Sequence, residues 1–228
     1  MKLRFYILLF LSGTVFASNA QIVITTPYEY AIGMSGGTTF SSVSFAPSVL
    51  QNKKPGVTFG LTGRMTMGKN VGLQVELNYA QQGWKERYED EDGKPVDEFQ
   101  YSRRINYIQF PFYTRVQFGD KKVKGFIVAG PQIGYMIGES TNENLNGATP
   151  GKENSQHVMP VEKKFEWGIS GGIGLDMRTG IGCFTLEGRY LFSLGDIYSA
   201  RREDYFSKSS NQVITTKLSY LIPVRKTR

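Results

Sequence analysis

The sequence predicts an all-β protein: an eight-stranded antiparallel up-and-down transmembrane β-barrel, preceded by a cleaved signal peptide. Three observations predict it. Apolar residues recur at every second position in eight separate segments, the period of a strand with one apolar and one polar face. Short connections alternate with longer polar ones. The chain opens with an export signal. A bilayer admits only helices and closed barrels, because no water reaches unpaired backbone groups there. No run in this sequence approaches the ~18 apolar residues of a membrane-spanning helix, and mean hydropathy is −0.30.

The export signal comes first. Lys2 and Arg4 precede the apolar run Phe5 to Leu11, and Ser18-Asn19-Ala20 offers small residues for cleavage before Gln21. The run is too short to span a membrane, which takes about 20 residues. The expected division is therefore a signal peptide, 1–20, and an outer-membrane β-barrel domain, 21–228.

The strands follow in order. The first, about 29 to 40, points Tyr30, Ile32, Met34, Thr38 and Phe40 one way and Ala31, Gly33, Ser35 and Gly37 the other. A polar loop, about 41 to 55, leads to the second strand, about 56 to 67, with Val57, Phe59, Leu61, Met65 and Met67 against Thr58, Thr62, Arg64 and Thr66. After the turn Gly68-Lys69-Asn70, the third strand, about 71 to 83, sets Val71, Leu73, Val75, Leu77 and Tyr79 against Gly72, Gln74, Glu76 and Asn78. A charged loop, about 85 to 103, precedes the fourth, about 104 to 118. There Ile108, Phe110, Phe112, Val116 and Phe118 alternate with Tyr107, Gln109, Tyr113, Arg115 and Gln117. Pro111 lacks an N–H for the ladder and predicts a bulge or a skipped hydrogen bond.

The fifth strand, about 126 to 138, presents Ile127, Ala129, Ile133, Tyr135 and Ile137. A loop of about 139 to 164 follows. The sixth strand, about 165 to 178, alternates Phe165, Trp167, Ile169, Ile173, Leu175 and Met177 with Glu166, Ser170, Asp176 and Arg178. The seventh, about 183 to 194, alternates Phe184, Leu186, Tyr190, Phe192 and Leu194 with Thr185, Glu187, Arg189 and Ser193. After a loop of about 195 to 210, the eighth, about 211 to 222, sets Ile214, Thr216, Leu218, Tyr220 and Ile222 against Thr215, Lys217 and Ser219. Short turns thus follow strands two, four and six, and long loops follow one, three, five and seven. An N-terminus left in the periplasm places the long loops outside. A soluble eight-stranded calyx would turn the apolar face inward, but nothing in that fold calls for the strict short–long asymmetry.

Two sets of residues are singled out. Arg64, Glu76, Arg115, Glu166, Asp176, Arg178, Glu187, Arg189 and Lys217 share the polar face. Eight strands enclose a lumen that side chains fill, and an unpaired buried charge is costly, so these residues are expected to form a lumen charge network. Tyr30, Tyr79, Phe118, Tyr135, Phe165, Trp167, Tyr190, Phe192 and Tyr220 are expected to belt the membrane interfaces.

Other chemistry is thinly provided. The formal charge of +7 falls to +5 without Lys2 and Arg4, acids and bases are interspersed, and export argues against nucleic acid as a partner. Cys183 and His157 are single occurrences, so a disulfide within the chain and a thiolate metal cluster are excluded. His157 is expected to be a solvated loop residue rather than a metal ligand or a triad member. Asp90-x-Asp92-Gly93 resembles part of a calcium loop, but Tyr88 and Phe99 occupy the first and twelfth positions, where carboxylates are needed. No cofactor is expected.

Several segments resemble a known family. Ile105-Asn106-Tyr107-Ile108-Gln109-Phe110-Pro111 is similar to the Asn-Tyr-Leu-x-Ile-Pro segment of the Bacteroidota outer-membrane β-barrel family often labelled PorT-like or porin-family. Ala129-Gly130-Pro131-Gln132-Ile133-Gly134 resembles its Ala-Gly-Pro-x-x-Gly segment, and Leu186 to Tyr190 with Leu194 to Ile197 its penultimate strand and loop. The resemblance implies an eight-stranded barrel in the outer membrane, distantly similar to OmpX and OmpA. The function expected is a non-enzymatic one: a filled lumen, exposed loops, and a structural or interaction role at the cell surface. Outer-membrane lipid is the expected surrounding, with other envelope proteins or host surface molecules as partners. The alternatives are a small porin or a component of a type IX-like secretion system, and a barrel enzyme at the outer surface.

Overall fold

The computed structural model describes residues 28–88, 100–120, 122–144, 157, 159–198 and 206–226. The predicted signal peptide and the acidic stretch 89–93 lie outside the described residues. Eight strands are present: β1 (Tyr28–Ala46), β2 (Gln51–Met67), β3 (Val71–Glu86), β4 (Gln100–Gly119), β5 (Val123–Asn144), β6 (Phe165–Arg178), β7 (Cys183–Asp196) and β8 (Lys208–Lys226). Each pairs antiparallel with its sequence neighbours, and β1 pairs with β8 to close the ring.

The alternation sorts the two faces as expected. Outward residues such as Leu61 (57% exposed) and Ile173 (68%) meet the surroundings, while Glu76 (2%) and Arg115 (0%) are enclosed. That inversion of a soluble core suits a hydrocarbon solvent outside. On β4 the outward apolar run from Ile108 to Phe118 covers roughly 34 Å along the strand, or about 24 Å along the membrane normal at a tilt of about 45°. This matches the height of the apolar band of such barrels, about 25 Å.

Several strands are longer than the apolar period indicates, mostly at the end away from the short turns; β5 and β8 also run on at the other end, to Val123 and Lys226. The expected loop 41–55 shrinks to residues 47–50, because β1 runs on to Ala46 and β2 begins at Gln51. Beyond the membrane the outward positions are polar, as at Ser42 and Ser44, while Val43 and Phe45 still point inward and are buried. The outward half of the period disappears, but the backbone pairing continues. β4, β5 and β8 extend in the same way. The ends of β2, β4 and β6 and the starts of β3, β5 and β7 gather at the opposite end, with the barrel's two termini.

Pro111 does not cause a bulge. On the β3 side the register stops at Val75↔Phe112 and resumes unchanged at Asn78↔Gln109. The ladder simply skips the residue that has no N–H to give. The bulge on the β5 side lies between Asn106 and Tyr107.

Candidate functional site

The inward residues of β2, β3, β4, β6, β7 and β8 meet across the lumen. At the centre Arg189 Nη1 donates to Glu76 Oε2 at 3.0 Å and Nη2 to Oε1 at 2.5 Å. Lys217 Nζ donates to the same carboxylate at 2.8 Å and to Asn78 Oδ1 at 3.0 Å. Arg189 also reaches Glu187, Nη2 to Oε2 at 3.0 Å, and lies over the Tyr113 ring at 4.7 Å. Nearer the short turns, Asp176 accepts from Arg64 at 2.7 Å, from Arg115 and from the Thr185 hydroxyl at 2.6 Å. Gln74 couples the two groups: Arg115 Nη1 donates to its Oε1 at 3.1 Å, and its Nε2 donates to Glu76 Oε1 at 2.7 Å.

Glycines make room for these long side chains. A Cβ on Gly172 would stand 2.2 Å from the Gly188 carbonyl and 2.7 Å from Arg189 Cγ. One on Gly174 would stand 2.3 Å from the Phe126 ring. β6 therefore presents bare backbone where β5 and β7 send large groups inward.

Glu166 is separate. It accepts from Asn211 Nδ2 at 2.7 Å, Gln109 Nε2 at 3.1 Å and Gln82 Nε2 at 3.4 Å, and among the described residues no cation bridges to it. The network below it holds four cations, Arg64, Arg115, Arg189 and Lys217, against the three carboxylates Glu76, Asp176 and Glu187. Between the two lies a polar cavity of about 20 Å³ lined by Asn78, Gln82, Gln109, Tyr113, Arg189 and Lys217. That is room for one water at most.

Arg178 departs from its expected place. It has the same parity as Asp176, but it sits opposite Cys183 at the last pair of β6 and β7. The lumen ends there. Its exposed guanidinium turns to the rim and pairs with Glu29 at 3.1 Å. Beneath the network at this end is a cavity of about 510 Å³ lined by Ala31, Arg64, Arg178, Cys183 and Leu221 among others.

The opposite mouth is sealed. Phe45 packs edge-on to Trp84 at 5.3 Å and against Phe206 at 4.9 Å, and Trp84 lies near Tyr101 and Tyr198. Arg103 Nη1 donates to the Met159 carbonyl at 2.6 Å and to Tyr198 Oη at 2.9 Å, which ties the segment after β5 across the opening. His157 is not the solvated residue expected. Its ring stacks on Tyr101 at 3.7 Å and its Nε2 lies 2.7 Å from Glu86 Oε2. Its Nδ1 has no hydrogen-bond partner among the described residues, and no group of three or more His, Cys, Asp or Glu that would hold a metal occurs among them. Burial pushes the phenols of Tyr88 and Tyr198 upward in pKa, and Tyr101 up to about 12.

The expected interface aromatics all face outward. Tyr30, Phe118 and Trp167 are exposed near strand ends, Tyr135 is exposed in the middle of β5, and Tyr79 and Tyr220 are half-buried against Phe59 and Phe184. Tyr190 stands mid-strand opposite Ile214 rather than at an end. The expected set omits the neutral members of the lumen, Gln74, Asn78, Gln82, Gln109 and Asn211, although their parity places them there. It also omits the cap residues Trp84, Tyr101, Arg103 and Tyr198, which lie beyond the apolar outward residues that mark the period.

No curated protein matches the sequence. Among solved structures, Ail of Yersinia pestis, determined with the heparin analogue sucrose octasulfate, is similar at 12% identity over 85% of this chain and 99% of its own, with a TM-score of 0.41. OprG of Pseudomonas aeruginosa is similar at 10% identity over 86% and 96%, with a TM-score of 0.42. The outer membrane enzyme PagL is similar at 14% identity over 86% and 99%, with a TM-score of 0.40. Residues 16–199 match the family described as outer membrane protein beta-barrel domain. With most of its length inside that match, the chain belongs to this family, and its place is the outer membrane.

Proposed function

We propose that the protein is a closed, non-enzymatic barrel that anchors an interaction surface at the outer side of the outer membrane. The observation that carries this reading is the Arg189–Glu76–Lys217 cluster, which spans the lumen from β3 to β7 and β8. A path for ions would have to break charge-assisted hydrogen bonds in a space with almost no free volume. The aromatic cap adds a second barrier. In this reading residues 1–20 are removed on export, residues 21–228 form the mature barrel, and the outward apolar face meets lipid. The projecting ends of β4 and β5 and the loops beside them face envelope proteins or host surface molecules. The segments Ile105 to Pro111 and Ala129 to Gly134 support a place in the PorT-like branch of Bacteroidota barrels.

Planar-bilayer recording tests the closed state. The purified protein is expected to insert without steady conductance. Large, reproducible single-channel steps would replace this reading with the small porin.

A further inference from the structure

Charge is segregated by face where β2 to β5 rise above the apolar band. Lys85 stands opposite Ser102, and Arg104 opposite Gly83 on one side and Ser140 on the other. Ser102 in turn faces Asn142. These residues alternate with Tyr101, Arg103 and Ile105, which are buried under the cap, so they point away from the barrel axis. Lys54 joins them from β2: its Nζ donates to Ser102 Oγ at 3.0 Å. It crosses β3 near Gly83, which has no side chain and a φ of +139°.

Among the described residues, the carboxylates of this region lie on the other face. Glu86 is turned inward to His157 and Trp84. Glu139 and Glu143 stand opposite Ile105 and Tyr101, whose side chains point inward, and Glu139 approaches Arg103 at 3.8 Å. Among the described residues no carboxylate pairs with Lys54, Lys85 or Arg104. Partial burial, together with the charges of Arg104 and Lys85, holds the Lys54 ammonium below its usual pKa. Three cations are therefore held against one another beside two hydroxyls and an amide, an arrangement that an anion relieves.

Depth identifies the anion. Arg104 is four residues beyond Ile108, the last apolar outward residue of β4, roughly 13 Å further along the strand. Gly83, beside it, is likewise four residues beyond Tyr79, which packs on Phe59 at 5.0 Å. The cluster thus sits just past an aromatic pair of the kind found at membrane interfaces, on the side facing lipid. We propose that Lys54, Lys85 and Arg104 form a binding site for the phosphate groups of a phosphorylated glycolipid of the outer leaflet. Arg104 supplies a planar fork for phosphate oxygens, the lysines supply point charges, and Ser102, Ser140 and Asn142 offer further donors. The site does not depend on the closed lumen; a conducting barrel would carry it equally.

Full-length protein in nanodiscs of zwitterionic phospholipid provides the test, titrated with bisphosphorylated lipid A and with its dephosphorylated form. The phosphorylated form is expected to bind at least tenfold more tightly and to weaken as salt is raised. The triple variant Lys54→Gln/Lys85→Gln/Arg104→Gln should lose that tenfold preference. The charge-preserving set Lys54→Arg/Lys85→Arg/Arg104→Lys should keep it, and Lys208→Gln, at another strand, should leave it unchanged. Heat-modifiable gel mobility reports folding. If the neutral triple fails to fold, the phosphate preference and salt dependence of the wild type still decide. Equal binding of the two lipids, or an unchanged neutral triple, would overturn the site. Full displacement by millimolar inorganic phosphate would reassign it to free phosphate and overturn the lipid.

Discussion

Arg189 grips Glu76 through both terminal guanidinium nitrogens, at 3.0 and 2.5 Å, although the two residues lie 113 positions apart. Glu76 also serves Lys217, so one carboxylate answers two cations. Glu76→Gln should therefore cost more than either cation's removal: about 3–5 kcal/mol, the range for breaking a buried pair. Lys217→Met should cost less, because it leaves the Arg189 pair in place. Urea unfolding followed by heat-modifiable gel mobility would rank the two.

The second prediction concerns the two faces of β2. Leu61→Arg should cost about 2–4 kcal/mol if it lies near the bilayer midplane. The adjacent Thr62 lies in the lumen with its hydroxyl 3.4 Å from Ser35, and Thr62→Ser should be tolerated within about 1 kcal/mol. Gly72 is also inward but is no neutral comparison, since a Cβ there would stand 2.7 Å from the Met65 carbonyl. Folding yield into vesicles separates these outcomes, and equal costs at Leu61 and Thr62 would reverse the inside–outside assignment.

Gly172→Ala should destabilise the barrel by about 1–3 kcal/mol, the usual cost of overpacking, because the added carbon meets both the Gly188 carbonyl and Arg189. Gly188→Ala meets nothing within 4 Å and should be close to neutral. Parallel denaturant titrations of the two variants provide the comparison.

His157→Ala should free the segment across the outer mouth without opening the barrel. Its stack on Tyr101 and its contact with Glu86 are lost, while the ladders stay intact. Trypsin cleavage at Lys163 and Lys164 should accelerate, with gel mobility unchanged. Unaltered cleavage would show that the other ties suffice: Arg103 to the Met159 carbonyl, the Lys163 and Lys164 backbone hydrogen bonds and the buried Val161.

Alkaline pH should loosen the same cap. Burial raises the folded-state pKa of Tyr101 to about 12 and also raises that of Tyr198. The open state titrates near the ordinary phenol value of about 10, so it releases protons first as pH rises. The cap's stability is then complete below about pH 10 and is lost progressively toward pH 12. Tyrosinate absorbance and tryptic sensitivity should rise together over that window.

The alternation was legible wherever lipid demands an apolar outward residue, as from Val71 to Tyr79 and from Phe165 to Met177. There the strand limits agree closely, and β6 matches at both ends. It failed above the membrane, where Ser42, Ser44, Ser102 and Asn142 face outward without hydrophobic constraint. The parity that placed Arg64, Glu76 and Arg189 inward could not tell that Arg178 lies past the lumen's end, since parity carries no depth. His157 was illegible for a different reason: its partners Glu86 and Tyr101 come from other strands, and only the closed ring brings them together.

Ring closure also dictates the order of events in assembly. β1 and β8 share a ladder from Glu29↔Lys226 to Ala46↔Lys208, joining nearly the two ends of the chain. No local hairpin precedes this contact as a nucleus, and closing so long a loop costs conformational entropy before any bond of that seam is gained. Until the last strand arrives, β1 is a long unpaired edge beside an apolar face, the condition under which strands pair with the wrong neighbour. The β1–β8 seam thus needs all eight strands before it can form, and every other ladder joins neighbours in sequence.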